Sequence, residues 1–216
     1  MAINLTALSN DELVDLLTGT PRFWPGVEEI SRPLGYSSHP HRAAMPSPGS
    51  QLAAHVPFPQ ETGIRFVDGP RGIVLPGGTT FPCSMARGAT WDTALERRIG
   101  TAIGRETVRA GGNFFGGVCI NLCRHPAWGR AQETYGEDSV LLGAMGAALA
   151  SGVQSDGQCM ACVKHFALNS MENMRFEVDV TIGERALHEV YLPHFEHVVK
   201  EANVASVMSA CACLVL

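Results

Sequence analysis

From Gly63 onward, short apolar runs alternate with longer segments of helical character, and this alternation restricts the fold more than any other feature. The apolar runs are GIRFVDGP, FFGGVCINL, CMACVKHF and VASVMSA. Each has the length of a buried strand and is bounded by polar or glycine-containing turns. Strands that alternate with helices of about ten to twenty residues predict βα units arranged around a parallel sheet.

The segments between these runs predict three helices. WDTALERRIGTAIGRETVRAGG places Leu95, Ile99 and Ile103 at helical spacing. GEDSVLLGAMGAALASGVQSDG predicts a second helix, capped near Asp138. GERALHEVYLPHFEHVVKEAN predicts a helix in two pieces, because Pro193 interrupts the hydrogen-bond ladder.

The alternation is compatible with either a nucleotide-binding sheet or a (β/α)8 barrel. No GxGxxG follows a strand and no GxxxxGK[ST] occurs, so a nucleotide-binding site is unsupported. We therefore predict an α/β chain, for which a (β/α)8 barrel remains. In that fold, polar residues at the carboxyl ends of strands are expected to form the active site.

Three regions are predicted along the chain. Residues 1–62 form a lead-in, with a short helix capped by Ser9 or Asn10 and then an irregular stretch rich in Pro, Ser and His. Residues 63–210 form the partial barrel. Residues 211–216 form a divergent tail, CACLVL.

Composition and charge exclude several classes of partner. The net charge is -5 and no Lys/Arg cluster occurs, so we expect neither nucleic acid nor an anionic membrane as a partner. No apolar stretch approaches the roughly 18 residues of a membrane span, and no signal peptide is evident, so we expect a cytoplasmic location.

The seven cysteines are predicted to be free thiols. Cys159 and Cys162 have the spacing of a metal-binding pair, and a thiol-based redox or metal protein is the third function considered. On a strand, however, residues three apart point to opposite faces and could not chelate one ion. We expect no metal and no cofactor.

Polar side chains follow three of the predicted strands. Asp68 ends the first, Arg130 and Glu133 follow the second, and Lys164 and His165 end the third. Carboxylates that accept and cations that donate hydrogen bonds suit a neutral, hydroxyl-rich ligand. Separately, these residues could be a turn former, a surface ion pair, a snorkelling lysine and a core histidine.

The same motifs, in order, resemble the N-terminal domain of glycoside hydrolase family 3, the β-glucosidase family. They are FVDGPRG, FPCSMARGATWD, INLCRHPAWGRAQETYGED, ACVKHFALNSMEN and ERALHEVYLPHFEHVVKEANVASVMSA. The resemblance covers residues 63–210 and implies an incomplete TIM-like (β/α)8 barrel, because the chain ends at Leu216.

The resemblance implies a pocket for the terminal sugar of a β-glucoside or short β-linked oligosaccharide. The implied sugar-binding residues are Asp68, Arg130, Lys164, His165 and, less directly, Arg175. Lys164 and His165 would both donate hydrogen bonds to the sugar. Because consecutive strand residues point to opposite faces, we predict irregular backbone at residues 164–166.

Two features narrow the implied function. The residues after Phe166 are ALNSMEN, without the Gly-His-Gly loop of the N-acetylglucosaminidase branch, which favours a β-glucosidase or a β-xylosidase. A retaining mechanism needs a nucleophile and an acid/base. In the family both lie on later segments, so we expect both beyond Leu216 in a truncated or frameshifted chain.

We therefore expect a β-glucosidase-like glycoside hydrolase whose 216 residues supply the sugar-binding half of the site and are inactive alone. The alternatives are a β-xylosidase and a non-catalytic sugar-binding fragment or pseudoenzyme. Because a complete barrel needs about 250 residues, we also expect association through an exposed sheet edge.

Overall fold

The computed structural model describes residues 9–10, 64–75, 77–211 and 213–215. The predicted irregular lead-in and most of the predicted first helix lie outside these ranges. No helix among the described residues is long and apolar enough to cross a bilayer.

Four parallel strands form the main sheet in the order β1-β2-β3-β5. They are β1 (Phe66–Val67), β2 (Phe114–Cys119), β3 (Met160–Phe166) and β5 (Ser206–Ser209). Each lies within one of the four predicted apolar runs. The prediction of a parallel sheet built from βα units is confirmed.

Helices connect consecutive strands of this sheet. A short helix, α1 (Ser84–Gly88), and a long one, α2 (Thr93–Arg109), lie between β1 and β2, and α3 (Ser139–Val153) lies between β2 and β3. The Asp92 side chain accepts a hydrogen bond from Leu95 N at 2.8 Å and caps α2. Asp138 caps α3 in the same way, as predicted.

The last helical segment is divided, as Pro193 predicts. It begins with α4 (Glu184–Ala186), continues as a π-helical turn (Leu187–Tyr191) and restarts as α5 (Pro193–Ala202). Proline occupies the first turn of α5, where its missing N–H costs nothing.

A second, two-stranded sheet was not predicted. It pairs β4 (Asp179–Thr181) with β6 (Cys213–Val215), and β6 lies within the predicted divergent tail. Three residues are too few for a strand pattern to emerge from a sequence.

The core lies between the main sheet and the helices. Met145 and Leu149 of α3 belong to the same cluster as Phe115 of β2 and Val163 of β3, and each is at most 1% exposed. Helix α3 is apolar on nearly all sides, SVLLGAMGAALASGV, as expected for a helix covered by several neighbours.

Helices α2 and α3 approach each other closely because glycines line their contact. A Cβ atom on Gly104 would lie 2.4 Å from the carbonyl oxygen of Val153, and one on Gly152 would lie 2.2 Å from that of Arg97. Neither backbone can yield without separating the helices.

We predict that Gly104→Ala destabilises the chain, although the same change usually stabilises a helix by about 1 kcal/mol. Because the new methyl group would overlap Val153, we expect the free energy of unfolding to fall by about 1–3 kcal/mol. Urea denaturation measures it. Gly143→Ala is the control, since its Cβ would meet only the His197 side chain at 3.2 Å. A Gly104→Ala chain as stable as the Gly143→Ala chain would contradict the prediction.

His194, in the first turn of α5, is a buried polar residue that lacks a complete set of partners. It is 1% exposed, and its Nδ1 has no hydrogen-bond partner among the described residues. Its ring lies 4.7 Å from the Phe195 ring. Burial lowers the pKa of His194 from 6.5 to about 4, so the imidazole is neutral at pH 7.

We predict that His194→Leu removes part of the acid sensitivity of the fold. Between pH 6.5 and about 4 the unfolded chain binds a proton at His194 that the folded chain does not, so stability falls as the pH falls. This accounts for roughly 3 kcal/mol over the window. Urea denaturation at several pH values should show a shallower decline for His194→Leu. Parallel curves for the two chains would contradict the prediction.

Candidate functional site

The carboxyl ends of β1, β2 and β3 bring four polar residues to one edge of the sheet. Asp68 directly follows β1, and Asn121 lies two positions after the last residue of β2. Lys164 and His165 belong to β3. Parallel strands end at the same edge, so these side chains meet although they are far apart in the sequence.

Lys164 and Asp68 form a charged pair in this edge. Lys164 Nζ donates to Asp68 Oδ1 at 2.7 Å and to Oδ2 at 2.8 Å. The lysine side chain is 2% exposed and the aspartate side chain 29% exposed. Lys164 therefore does not snorkel to solvent, and the carboxylate is the member of the pair that a ligand can reach.

His165 lies between Arg130 and Asn121. Its Nε2 is 2.9 Å from Arg130 Nη1, and its Nδ1 is 2.8 Å from Asn121 Oδ1. A guanidinium group can only donate, so Nε2 accepts from it. In this geometry the donor of His165 faces Asn121 and its acceptor faces Arg130, and a hydrogen bond from His165 to a sugar stays a prediction.

The electrostatic surroundings keep His165 neutral. Burial is the largest cause and lowers its pKa from 6.5 to about 2, and the positive charges of Arg130, Lys164 and Arg175 act in the same direction. The imidazole is only 5% exposed. It does not take up a proton near neutral pH, so it is not a general acid in this state.

The backbone at residues 164–166 is irregular, as predicted. The pairing of β3 with β5 shifts register between Lys164 and Phe166. The Lys164–His165 and Phe166–Ala167 peptide bonds are cis. Lys164 and His165 both place their side chains among the polar groups of this edge.

Arg130 is fixed by a carboxylate on its own loop. Its Nε and Nη2 donate to the two oxygens of Glu133 at 2.8 and 2.6 Å. Burial alone would lower the pKa of Arg130, but the hydrogen bonds and charge of Glu133 raise it above its ordinary value. The two side chains are 17% and 19% exposed, so the pair is not a solvated surface ion pair.

Glu172 connects the loops that follow β2 and β3. It accepts from Trp128 Nε1 at 3.2 Å and Asn169 Nδ2 at 3.0 Å through Oε1, and from Arg175 Nη1 at 2.9 Å through Oε2. Arg175 also lies over the Phe176 ring, 4.6 Å from its centroid. Arg175 thus reaches the site through its charge near His165, while its direct contacts are with Glu172 and Phe176.

A buried ion pair between Arg87 and Glu96 supports the loop that carries Asp68. Arg87 Nη1 donates to the carbonyl oxygens of Pro70 at 2.9 Å and Pro82 at 3.0 Å, and Arg87 Nε donates to Glu96 at 3.0 Å. Tyr135 adds a 2.6 Å hydrogen bond to Glu96. Burial raises the pKa of Glu96, and Arg87 and Tyr135 partly oppose that effect.

The profile of the "Glycosyl hydrolase family 3 N terminal domain" matches residues 51–214. The chain belongs to glycoside hydrolase family 3. "Probable beta-glucosidase I" of Emericella nidulans is 37% identical over 166 residues, which are 73% of this chain and 19% of that protein. "Beta-glucosidase B" of the same organism is 39% identical over 153 residues, which are 68% of this chain and 18% of that protein.

Solved structures show the same relationship. Beta-glucosidase 3B from Thermotoga neapolitana in complex with glycerol superimposes with a TM-score of 0.79 at 32% identity, covering 97% of this chain and 29% of that chain. Its complex with glucose gives a TM-score of 0.78 at 32% identity, with the same coverage of both chains. The prediction of an incomplete TIM-like barrel is confirmed. The chain spans about a fifth of the length of the curated family 3 relatives, 19% of the first.

Of the residues predicted for the family 3 site, the structure joins Asp68 to Lys164 and Arg130 to His165. Arg175 lies at the side of this group, bound to Glu172. Sequence reasoning missed Asn121. A single amide side chain at the end of the apolar run FFGGVCINL was the available signal.

Proposed function

We propose that this chain forms the part of a retaining β-glucosidase-like enzyme that binds the terminal β-D-glucose of β-glucosides and short β-linked oligosaccharides. Two kinds of relationship support the proposal. The similar curated proteins are named as β-glucosidases. A similar solved structure is described as a complex with glucose.

The observation that carries the proposal is the set of hydrogen-bonding positions left open at Asp68 and Arg130. Three of about four lone-pair positions of the Asp68 carboxylate are used, two by Lys164 Nζ and one by Gly69 N, which leaves one for a hydroxyl donor. Three of the five N–H groups of Arg130 are used, which leaves two donors. A partly open acceptor and partly open donors suit the hydroxyl groups of a sugar.

Each of the three carboxylates near this site is held by a cation. Asp68, Glu133 and Glu172 each form an ion pair with a cation of the site. A retaining glycosidase needs a nucleophile about 5–5.5 Å from its acid/base. We propose that residues other than these three supply both groups, and that the 216-residue chain alone binds sugar weakly without hydrolysing it.

The ion pairs of these three carboxylates also favour a second candidate function, that of a sugar-binding protein without hydrolytic activity. Both candidates predict that the chain alone does not hydrolyse an aryl β-glucoside. Turnover that Asp68→Ala abolishes would contradict the expectation that the chain alone is inactive. Xylose tested beside glucose separates a β-xylosidase-like site from a β-glucosidase-like one.

We also propose that the chain associates through its sheet edge. Among the described strands, β5 pairs only with β3, and Val207 on β5 is 43% exposed. A strand that pairs on one side only and carries exposed apolar side chains favours edge-to-edge association. Sedimentation that gives a monodisperse monomer would contradict this proposal.

The test of sugar binding is a titration of the ¹⁵N-labelled chain with glucose. We expect shifts at the amides of residues 68–69 and 164–166, and their loss in an Asp68→Ala chain whose own spectrum shows that it is folded. Asp156→Ala is the matched control. Asp156 lies in the loop before β3, near the amino ends of the strands, and pairs with Arg105 of α2. Equal glucose shifts in both variants would contradict a sugar site at Asp68.

A further inference from the structure

Asn121 makes three hydrogen bonds to one residue, His165. Its Oδ1 accepts from the main-chain N of His165 at 2.9 Å and from the ring Nδ1 at 2.8 Å. Its Nδ2 donates to the main-chain carbonyl oxygen of His165 at 2.9 Å. Asn121 is 2% exposed, so it does not itself reach a ligand.

These contacts determine which ring nitrogen carries the proton. The Asn121 oxygen that faces Nδ1 can only accept, so Nδ1 must carry hydrogen. On the other side, Arg130 Nη1 can only donate, so Nε2 must present its lone pair. The amide orientation of Asn121 is consistent with both demands, because its Nδ2 finds the His165 carbonyl oxygen.

The charged groups around His165 support the same arrangement. Arg130, Lys164 and Arg175 are all cations that oppose protonation of the ring. Glu133 holds Arg130 from the other side through two hydrogen bonds. Thr134, next to Glu133, donates from Oγ1 to the Asn121 carbonyl oxygen at 2.6 Å, which joins Asn121 to the Arg130 loop.

We propose that Asn121 is a positioning residue that holds His165 in the neutral Nδ1–H tautomer, so that the imidazole serves as an acceptor that fixes Arg130. The role of Arg130 toward a sugar rests on the proposed function. The position and tautomer of His165 do not rest on the proposed function, because they follow from contacts that are present without a ligand.

The first measurement is a long-range ¹H–¹⁵N NMR spectrum of the ¹⁵N-histidine-labelled 216-residue chain without sugar. His165 is assigned by comparison with His165→Gln. We expect one neutral tautomer with the proton on Nδ1 and no titration between about pH 8 and 4. A proton on Nε2, or titration near pH 6.5, would overturn the proposal even if no variant folds.

Variants distinguish the effect of Asn121 on the His165 tautomer from the effects of burial and of Arg130. Asn121→Ala removes all three hydrogen bonds, and we expect both neutral tautomers to appear, while burial and the neighbouring cations still keep the pKa of His165 low. Asn121→Asp keeps the acceptor, so we expect the Nδ1–H tautomer to return, with titration moved to higher pH by the carboxylate. Asn169→Ala is the matched control, because it truncates a buried asparagine whose amide contacts Glu172 instead.

Two results would contradict the role of Asn121. A folded Asn121→Ala chain that keeps only the Nδ1–H tautomer would show that Arg130 alone sets the tautomer. A Nε2–H tautomer in Asn121→Asp would show that an acceptor at position 121 does not set the tautomer. Failure of glucose to bind would overturn the proposed function and leave the tautomer result intact, so the two failures are distinguishable.

Discussion

Asp68→Ala should lower the free energy of unfolding by about 3–5 kcal/mol, because it leaves the Lys164 ammonium group buried without a counter-charge. Lys164 is 2% exposed, so water cannot replace the lost carboxylate. Lys164→Met should cost less. It leaves the Asp68 carboxylate alone, but that side chain is 29% exposed and can be hydrated. Removing Asp68 is thus predicted to cost more stability than removing Lys164, although both belong to one ion pair.

Urea denaturation of both single variants and of the double variant tests this inequality. The double variant should recover most of the loss, because removing both charges also removes their desolvation cost. Arg105→Met with Asp156→Ala is the control, an exposed pair at 2.8 Å for which we expect little change. Equal losses for Asp68→Ala and Lys164→Met, or a larger loss for Lys164→Met, would contradict the argument.

Much of the fold could be predicted because its signals are local. Helix α2 shows its apolar stripe and its Asp92 cap within a single stretch, and Pro193 marks the break before α5. Strand β6 could not be predicted, because three residues show no periodicity and its partner, β4, is equally short.

The site was predicted in part for the same reason. Asp68 and Lys164 stand out locally as polar residues at strand ends, yet they pair across 96 positions. Which residues pair is decided by strand order and register, and the sequence pattern does not contain these. Asn121 stayed hidden because its neighbours are apolar, and its role depends on contact with His165, 44 positions away.

The Arg87–Glu96 pair gives the second large expected effect. Arg87→Met should lower the free energy of unfolding by about 3–5 kcal/mol at pH 7, because Glu96 is 1% exposed and keeps only the Tyr135 hydroxyl as a described hydrogen-bond donor. The change also removes the hydrogen bond from Arg87 to the Pro70 carbonyl oxygen. The loop that carries Asp68 loses that tether, so glucose binding should weaken as well.

The pH dependence of this loss identifies its cause. Burial already raises the pKa of Glu96 above 4.5, and removing Arg87 takes away a charge that opposes this rise. The folded variant therefore holds a proton that the unfolded chain releases, and its stability falls as the pH rises from 4.5 through the folded pKa. We expect the deficit of Arg87→Met relative to wild type to shrink on acidification, in urea denaturation at several pH values. Adding Glu96→Leu should abolish that pH dependence. A deficit that is constant with pH would show that lost packing of the Arg87 side chain, and not the stranded carboxylate, destabilises the fold.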